Sequence, residues 1–569
     1  MQKRWTIKPK AHNAAIAKLA ADLNVNEVLA NLLLQRGIGS FDEAKRFFRP
    51  SLDDLHNPFL MKDMDKAIAR IEKAIAENEK ILVFGDYDVD GTTAVALVYS
   101  FLKTIIGDRV DFYIPDRYKE GYGISFQGID FANANDFNLI IALDCGIRSV
   151  DKVDYATERG IDFIICDHHL PGDEIPKAVA VLDAKQKDCN YPFKELCGCG
   201  VGFKLVQAYA QNNNLDFSLL GEYLDLTAIS IASDLVPIVD ENRVLCYYGL
   251  QEINNNPRKG IKAILDLAQV KKQITINELV FTIGPRINAA GRLDSGRKAV
   301  ELLISDNVEG AENAGEKINM TNTQRRELDK NITEQALSMI ADDEQLQNKK
   351  STVLFHPNWH KGVIGIVASR LIENHYKPTI VLTESGGKAT GSARSVKGFN
   401  VHDAIAACAD LLEQFGGHKY AAGLTMKVEN VAAFQEKFEQ VVSESITQEM
   451  LTPEVEIDAE IDLQDINPKF FRILKQFEPF GPENLSPVFV TKKVKDGGYG
   501  KIVGNSHLKL TVETDATGFG AIAFGQSNSL KYISDGKSFN VCYSIEENEF
   551  RGNVSLQLNV KDIQPAEKE

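Results

Sequence analysis

The sequence contains no run of eighteen apolar residues, and this absence argues against a membrane span. The first thirteen residues are basic but lack the apolar stretch of a secretory signal, so we expect a cytoplasmic protein. A GxxxxGK[ST] phosphate loop is also absent, and nucleotide-driven translocation is therefore not indicated. Hydrophobic residues make up 44% of the chain and charged residues 25%, which is typical of a soluble globular protein.

Cysteine is scarce and dispersed. None of the 8 cysteines belongs to a pair of C-x₂-C motifs, which is the usual spacing of a structural zinc site. Cys197 and Cys199 have one residue between them and no matching pair, so zinc binding is disfavoured there. Cys145 and Cys166 adjoin predicted strand ends, where we expect them to be small buried residues.

Positive charge is in deficit. The 64 Lys and Arg residues face 80 Asp and Glu residues, which leaves a net charge of −16. Nucleic-acid-binding domains usually carry a basic surface, and an acidic chain cannot hold DNA by its average field. Any such binding must therefore use a local basic groove, with metal ions offsetting the carboxylates.

Acidic residues and imidazoles follow three predicted strands. Residues 81–84 form an apolar run that leads into Asp86-Tyr87-Asp88-Val89-Asp90-Gly91, and residues 139–143 run into Asp144. Residues 161–166 lead into Asp167-His168-His169. In an open α/β sheet the carboxyl ends of parallel strands share one edge, where ligand sites gather. We therefore expect these side chains to lie close together.

The ligand types at this edge favour a metal site. Carboxylate oxygens mixed with imidazole suit Mn²⁺ or Mg²⁺, whereas zinc more often recruits thiolates. A single Asp-Gly after a strand commonly forms only a turn. Three such strand ends, with two adjacent histidines among them, favour the metal site over this alternative.

The length of 569 residues predicts several domains. Alternating strands and helices predict a doubly wound parallel sheet, and period-two alternation near the C-terminus predicts a small β-barrel. The predicted segments are an N-terminal helical segment (1–55), the doubly wound α/β domain (56–305), a connecting helix (306–348), a second α/β domain (349–447) and the barrel (448–569).

Several motifs together carry a family resemblance. The DYDVDG and DHH motifs, Asp234 in IASDLVPI, and GGHKYAAG from Gly416 resemble the DHH phosphoesterase superfamily. Three longer stretches are similar to its bacterial single-strand-specific 5′→3′ DNA exonucleases. These are CGCGVG from Cys197, IGPRINAAGRL from Ile283 and HPNWHKGVIGIVASRL from His356.

The resemblance implies both a fold and an activity. It implies a DHH catalytic domain, a connecting helix, a DHHA1 substrate-binding domain and a C-terminal OB-fold. The implied activity is two-metal-ion hydrolysis of single-stranded DNA with Mn²⁺ or Mg²⁺, which releases 5′-mononucleotides in recombination and repair. Implied partners are single-stranded DNA, a single-stranded-DNA-binding protein and a repair helicase, with the enzyme as a monomer.

The resemblance also implies the metal ligands. Asp88 would hold one ion, and Asp144 would bridge both ions. The ligands of the other ion would be Asp90, His168 and Asp234. His169 resembles a catalytic phosphate contact, and Asp86 resembles an outer carboxylate that orients a ligand or water. Some family members have a histidine ligand where this chain has Phe84, which implies weaker binding of the Asp88 ion.

Further residues resemble the family's DNA and phosphate contacts. Arg394 would give bidentate hydrogen bonds to a 5′-terminal phosphate, and nearby glycines would allow close approach of the backbone. Where the family often has Asn-Pro, this chain has Asp183-Ala184, so the contacts of that loop stay open. The complete set of implied contacts is Arg117, Tyr122, Arg286, Asn288, Arg292, Ser392, Arg394, Gly417 and His418.

Two alternatives differ in function. Some DHH relatives are small phosphodiesterases or pyrophosphatases, but these are usually shorter and lack the terminal barrel. A degenerate relative is a non-catalytic scaffold, which would be indicated by lost metal ligands. All the implied ligands are present in this chain, which favours an exonuclease.

Overall fold

The computed structural model describes residues 3–566. Strands are numbered from the N-terminus: β1 (Arg4–Ile7), β2 (Lys80–Gly85), β3 (Val110–Tyr113), β4 (Phe137–Leu143), β5 (Asp162–Cys166), β6 (Ala180–Leu182), β7 (Thr352–Phe355), β8 (Thr379–Ser385), β9 (Lys388–Arg394), β10 (Gln414–His418), β11 (Ala421–Lys427), β12 (Glu454–Ile457), β13 (Ala459–Glu460), β14 (Phe489–Asp496), β15 (Lys501–Val503), β16 (His507–Glu513), β17 (Gly518–Ala523), β18 (Phe539–Phe550) and β19 (Asn553–Pro565).

The α-helices are numbered in the same way. They are α1 (Asn13–Leu23), α2 (Glu27–Leu34), α3 (Phe41–Phe48), α4 (Met64–Ala76), α5 (Val89–Ile106), α6 (Phe126–Ala134), α7 (Val150–Thr157), α8 (Gly198–Asn212), α9 (Leu224–Asp234), α10 (Asp240–Asn255), α11 (Lys259–Leu267), α12 (Ile276–Glu278), α13 (Gly284–Leu293), α14 (Gly296–Leu303), α15 (Val308–Asp342), α16 (Glu344–Asn348), α17 (Ile364–His375), α18 (Val401–Ala406), α19 (Val431–Ser445), α20 (Pro468–Lys475) and α21 (Leu530–Ile533).

The chain divides into two compact units. Unit 1 comprises Met1–Ala44, Arg326–Gln476 and Ser486–Glu569. Unit 2 comprises Lys45–Arg325 and the short segment Phe477–Leu485. Unit 2 therefore contains the whole of the predicted catalytic domain (56–305), together with nine residues from late in the chain.

Unit 2 is built on a five-stranded parallel sheet in the order β3-β2-β4-β5-β6. Strand β2 is apolar from Ile81 to Phe84 because both faces of the sheet are buried: Ile81 and Val83 lie in one core, and Leu82 and Phe84 in the other. This arrangement confirms the predicted doubly wound sheet. The winding direction changes between β2 and β4, which is the position where such sheets bind ligands.

Helix α5 is the long apolar helix of this sheet. The stretch from Val89 to Arg109 is apolar and long enough to cross a membrane, but 72% of its apolar window is buried inside the protein. Its residues Val95, Leu97 and Phe101 belong to the core of unit 2. Burial against the sheet accounts for the apolar composition of α5.

The predicted connecting segment contains α15, which is 35 residues long, followed by α16. Leu328, Ile332 and Ala336, which recur every four residues, form an apolar stripe with Ile340. In unit 1 this stripe packs against α17, including Leu371.

Unit 1 contains a mixed sheet in the order β10-β11-β9-β8-β7. Strands β7 and β8 are parallel, and the other pairs are antiparallel. The register places Arg394 of β9 opposite Ala421 of β11, and Ala421 opposite His418 of β10. Residues directly opposite one another share a face of the sheet, so Arg394 and His418 lie on the same face.

The C-terminal part of unit 1 is a β-barrel. The strands β14-β18-β19-β17-β16 follow one another, and a pairing between β14 and β16 closes the ring. Short strands β13 and β15 flank this ring. Five closed strands confirm the predicted barrel and are typical of an OB-fold.

The N-terminal segment differs from its helical prediction. Helices α1 to α3 are present, but they follow β1, which pairs in parallel with β12 of unit 1. Trp5 strengthens this attachment, because its Nε1 donates a hydrogen bond to Asp562 Oδ2 at 2.8 Å. A four-residue strand whose partner lies near the other end of the sequence leaves no local periodic signal.

Candidate metal centre and phosphate pocket

The DYDVDG motif forms the turn between β2 and α5. Asp88 caps α5 by accepting a hydrogen bond from the Gly91 N–H at 3.1 Å. Asp86 is buried and accepts a hydrogen bond from the Gly123 N–H at 3.3 Å. A Cβ at Gly91 would lie 2.4 Å from the Asp86 carbonyl oxygen, so this tight turn requires glycine. The turn places three carboxylates at the carboxyl end of β2.

Asp90 is held within the protein by donors from α8 and α9. Its Oδ2 accepts a hydrogen bond from the Gly198 N–H at 2.6 Å, and its Oδ1 accepts one from the Cys199 N–H at 2.7 Å. The Ser230 hydroxyl donates to Asp90 Oδ1 at 2.6 Å. These three hydrogen bonds fix the Asp90 side chain. They also satisfy it in a buried position, because only 2% of the residue is exposed.

His168 Nε2 faces three carboxylates from different elements. It lies 3.2 Å from Asp144 Oδ1, 3.5 Å from Asp90 Oδ2 and 3.7 Å from Asp234 Oδ2. Asp144 follows β4, and Asp234 is the last residue of α9. The sheet edge and one helix end thus bring together residues that are far apart in sequence.

The concentration of carboxylates raises their proton affinities. Burial raises the pKa of Asp144 well above its usual range, and the charge of Asp90 adds to this rise. Burial and the neighbouring acids likewise raise the pKa values of Asp86 and Asp88. The surrounding protein and the charge of Asp90 raise the pKa of Asp234 to about 8. Such mutual repulsion is relieved when a cation binds.

His169 is oriented by two partners. Its Nδ1 lies 2.7 Å from Asp167 Oδ1, and its Nε2 lies 3.1 Å from the Tyr122 hydroxyl. Burial lowers the pKa of His169, but the hydrogen bond and charge of Asp167 outweigh it and raise the pKa to about 9. Burial favours a higher pKa for Asp167, but the hydrogen bond and charge of His169, together with the Ile147 N–H, outweigh burial and lower this pKa to about 2. His169 is therefore a cation near neutral pH.

The donor set fits divalent metal ions. In the described part of the chain, three groups have ligand atoms within 4.8 Å of one another, and they are Asp90-His168-Asp234, Asp86-Asp88-Asp144 and Asp144-His168-His169. Within residues 3–566, Asp144 Oδ1 and His168 Nδ1 are buried without a hydrogen bond. Asp144 belongs to two of these groups, which suits a ligand shared between two ions. Asp86 lies as close as the expected ligands, although the sequence assigned it an outer position.

A cavity of about 210 Å³ opens beside the metal centre. Four predicted DNA contacts line it, and they are Arg117, Tyr122, Asn288 and Arg292. Asp86 and Asp88 form part of the same wall. The Arg117 guanidinium lies 4.9 Å from the centre of the Tyr87 ring, which also lines the cavity. Cationic and aromatic groups thus meet the carboxylates at one opening.

Arg286 is placed differently from the other predicted contacts. Its Nη1 donates to the Thr282 carbonyl oxygen at 2.7 Å, and its Nε donates to Asn319 Oδ1 at 3.1 Å. It is not among the residues that line the cavity. These bonds join the start of α13 to α15, which indicates a structural role within unit 2.

A second candidate site surrounds Arg394 in unit 1. Its Nη1 donates to Ser392 Oγ at 3.0 Å and to the Ala393 carbonyl oxygen at 2.8 Å. Burial lowers the pKa of Arg394, and no carboxylate pairs with it among residues 3–566. A Cβ at Gly365, in the first turn of α17, would lie 3.0 Å from Arg394 Nη2. This glycine brings a helix N-terminus next to the guanidinium, an arrangement suited to an anion.

Gly417 and His418 of β10 belong to the same candidate site. Gly417 has a φ of 142°, and a Cβ there would lie 2.4 Å from the Ala421 carbonyl oxygen. Burial and the positive charge of Arg394 lower the pKa of His418. One sheet of unit 1 therefore carries Ser392 and Arg394 on β9 and Gly417 and His418 on β10.

Two supporting residues escaped sequence reasoning. Ser230 holds Asp90, and Asp167 orients His169, although neither was assigned a role from sequence. Ser230 could have been found from the sequence, because it lies four residues before Asp234 and therefore shares a helix face with that ligand.

Asp183 is fully buried at the end of β6, and its Oδ2 has no hydrogen-bond partner within residues 3–566. Burial raises the pKa of Asp183 to about 7.

Comparisons with known proteins identify relatives of all three domains. Residues 80–231 match the DHH family N-terminal domain, residues 348–444 the DHHA1 domain and residues 457–562 the RecJ OB domain. This order confirms the predicted sequence of domains.

Full-length relatives agree with these matches. The single-stranded-DNA-specific exonuclease RecJ of Bacillus subtilis (strain 168) is 35% identical over 568 residues, spanning 99% of this chain and 71% of the relative. The protein of the same name from Escherichia coli (strain K12) is 33% identical over 565 residues, spanning 95% of this chain and 96% of the relative.

Solved structures provide a third comparison. The crystal structure of RecJ in complex with Mn²⁺ from Thermus thermophilus has a TM-score of 0.85 and 27% identity, covering 99% of this chain and 80% of that chain. The Mg²⁺ complex from the same organism has a TM-score of 0.79 and 26% identity, covering 99% of this chain and 79% of that chain.

Proposed function

Because this chain belongs to the RecJ family of single-stranded-DNA-specific exonucleases, we propose that it hydrolyses phosphodiester bonds of single-stranded DNA in recombination and repair. The cluster of Asp90, His168, Asp234 and Asp144 carries this proposal, since it places three carboxylates within 3.7 Å of one imidazole nitrogen, a donor set that suits divalent metal. A non-catalytic scaffold would not need to keep these side chains within ligand distance. Degradation from the 5′ end to 5′-mononucleotides is the more specific form of the proposal.

The metal ligands divide between two positions. Asp90, His168 and Asp234 would hold one ion of Mn²⁺ or Mg²⁺, and Asp88 would hold the other, with Asp144 between them. Asp86 lies near enough to Asp88 and Asp144 either to bind the ion directly or to orient one of its ligands. When bound, such ions neutralise phosphate charge and lower the pKa of a bound water.

His169 supplies a fixed positive charge beside this centre. Asp167 accepts from its Nδ1, which leaves the Nε2–H free to serve a phosphate oxygen in place of the Tyr122 hydroxyl. A donor held before the substrate arrives does not need to reorient during the reaction. We therefore assign His169 the role of a catalytic donor to the scissile phosphate.

The cavity residues would guide the DNA strand. Arg117 and Arg292 can each pair with backbone phosphates, Asn288 adds a polar contact, and Tyr122 offers an exposed ring for base stacking. Arg286 would act indirectly, since its bonds to Thr282 and Asn319 support α13. This local basic group offsets the acidic character of the whole chain.

The Arg394 pocket supports the 5′ end as the point of attack. A terminal phosphate carries more charge than a phosphate within the strand, and a partly buried guanidinium with no carboxylate partner among the described residues favours it. Ser392, Gly417 and His418 would surround this group in unit 1. Recognition of a 5′-phosphate would select the strand end and hence the direction of degradation.

The barrel and the remaining partners stay predictions. An OB-fold commonly binds single strands, and the cross-strand pair Lys501 and Lys509 gives this barrel a basic exposed patch. A single-stranded-DNA-binding protein and a repair helicase remain expected partners of a monomeric, cytoplasmic enzyme. The family resemblance is the reason to expect them.

End-labelled oligonucleotides test the proposed function directly. The purified protein with Mn²⁺ or Mg²⁺ should release a labelled mononucleotide at once from 5′-labelled single-stranded DNA. From 3′-labelled DNA it should produce progressively shorter labelled fragments. RNA and double-stranded DNA of the same sequence are the matched substrates, and chelation of the metal should stop the reaction. Immediate release of the 3′ label would contradict the proposed direction.

A further inference from the structure

Asp90 is positioned by two helices that reach it from different directions. The first turn of α8 supplies the Gly198 and Cys199 N–H groups, and α9 supplies the Ser230 hydroxyl. All three donors lie within 2.7 Å of an Asp90 oxygen. Oδ1 accepts two of these bonds and Oδ2 only one, so Oδ2 keeps a lone pair with which Asp90 can still act as a ligand.

The start of α8 is fitted between two of the metal-binding carboxylates. Cys197 caps this helix by accepting a bond from the Gly200 N–H at 3.2 Å. A Cβ at Gly198 would lie 2.6 Å from Asp144 Cβ and 2.8 Å from Asp144 Oδ1. The CGCGVG motif therefore lets a helix N-terminus, with its positive dipole end, approach Asp90 and Asp144 together.

Ser230 connects Asp90 to another member of the metal centre. Ser230 and Asp234 lie four residues apart on α9, so they face the same side of that helix. One helix thus contributes the hydroxyl that holds Asp90 and the carboxylate that joins Asp90 around His168. Ser230 is fully buried, so water cannot take over its hydrogen bond.

We propose that Ser230 is a positioning residue that sets the spacing of Asp90 and Asp234 for one of the two metal ions. The inference rests on the proposed function, because it assumes that the cluster binds metal. Hydrogen-bonded neighbours of metal ligands typically change metal affinity by about 10–100-fold when they are removed. The backbone donors of α8 remain in Ser230→Ala, so Asp90 stays buried there but loses its bond to α9.

Direct Mn²⁺ binding provides the test. Free Mn²⁺ is measured by electron paramagnetic resonance during titration of the full-length wild type, Ser230→Ala and Thr227→Val. Thr227 is the matched control, because its buried hydroxyl lies about one turn earlier on α9 and donates to the Tyr223 carbonyl oxygen at 3.1 Å. We expect Ser230→Ala to weaken one site about 10–100-fold and leave the other unchanged, and Thr227→Val to match the wild type.

Two further measurements complete the design. Ser230→Thr keeps a hydroxyl at the same position and should bind Mn²⁺ more tightly than Ser230→Ala does. Thermal unfolding of the metal-free proteins shows that each variant is folded. Wild-type affinities at both sites in Ser230→Ala would overturn the inference, as would equal weakening in Thr227→Val. A wild type that binds no Mn²⁺ would instead overturn the proposed function.

Discussion

Replacement of Arg394 by alanine tests how the enzyme selects a strand end. The guanidinium is largely buried and hydrogen-bonded to Ser392 and the Ala393 carbonyl, and burial lowers its pKa. A charge-assisted hydrogen bond contributes about 1.5–3 kcal/mol, which corresponds to roughly a tenfold to more than hundredfold change in binding. We expect Arg394→Ala to lose this much affinity for 5′-phosphorylated strands and much less for 5′-hydroxyl strands.

The assay compares both substrates with two variants of β9. Initial rates over a range of oligonucleotide concentrations give KM and kcat for 5′-phosphate and 5′-hydroxyl forms of one sequence. Lys388→Ala is the control, because Lys388 lies on the same strand and already pairs with Glu413 at 2.6 Å. Equal losses on both substrates in Arg394→Ala would refute the assignment and leave Arg394 a structural role.

Three other predictions follow from the site and the barrel. Asp144→Asn should abolish hydrolysis while single-strand binding, measured by fluorescence anisotropy, survives, because a shared ligand is lost but the strand contacts remain. The pKa of Asp183 is about 7 in the folded protein, whereas its usual value is 3.8. Between these values the folded state retains a proton that the unfolded state releases, so the free energy of unfolding falls as pH rises towards 7. In the wild type this effect lowers the free energy of unfolding by at most about 3 kcal/mol between pH 5 and pH 8, and Asp183→Asn should remove it, as measured by urea unfolding. Glutamate at Lys501 and Lys509 together should weaken binding of long single strands and reduce its salt dependence, whereas an unchanged salt slope would exclude this patch.

The sheet edge was predictable because its signals are local. A buried parallel strand appears as a short apolar run, and the residue after it must lie at the carboxyl edge. Asp86, Asp144 and Asp167 each follow such a run, so their convergence needed no knowledge of long-range contacts. Asp234 has no strand before it, and only the family resemblance placed it in the site.

Other features depend on contacts between distant parts of the sequence. Nothing near Arg4–Ile7 indicates that this strand pairs with Glu454–Ile457. A motif also does not show whether an arginine lines the cavity or bonds to neighbouring helical residues, which explains why Arg286 and Arg292 were grouped together. Residue type predicts what a side chain can bind, whereas tertiary packing decides which partner it meets.

The segment Phe477–Leu485 completes unit 2 from a position late in the chain. The Arg243 guanidinium donates to the carbonyl oxygens of Phe477 and Glu478, at 3.0 Å and 2.9 Å. The Ile238 N–H, four residues beyond Asp234, donates to the Pro482 carbonyl oxygen at 2.9 Å.

This arrangement has a consequence during synthesis. A ribosome that has made every metal ligand must still add about 250 residues, which takes on the order of ten seconds or more, before the segment emerges to join Arg243 and Ile238. A prematurely terminated chain therefore carries all the catalytic residues without the last piece of the unit that holds them. The order of translation thus completes unit 2 only after about 250 residues have been added beyond the last metal ligand.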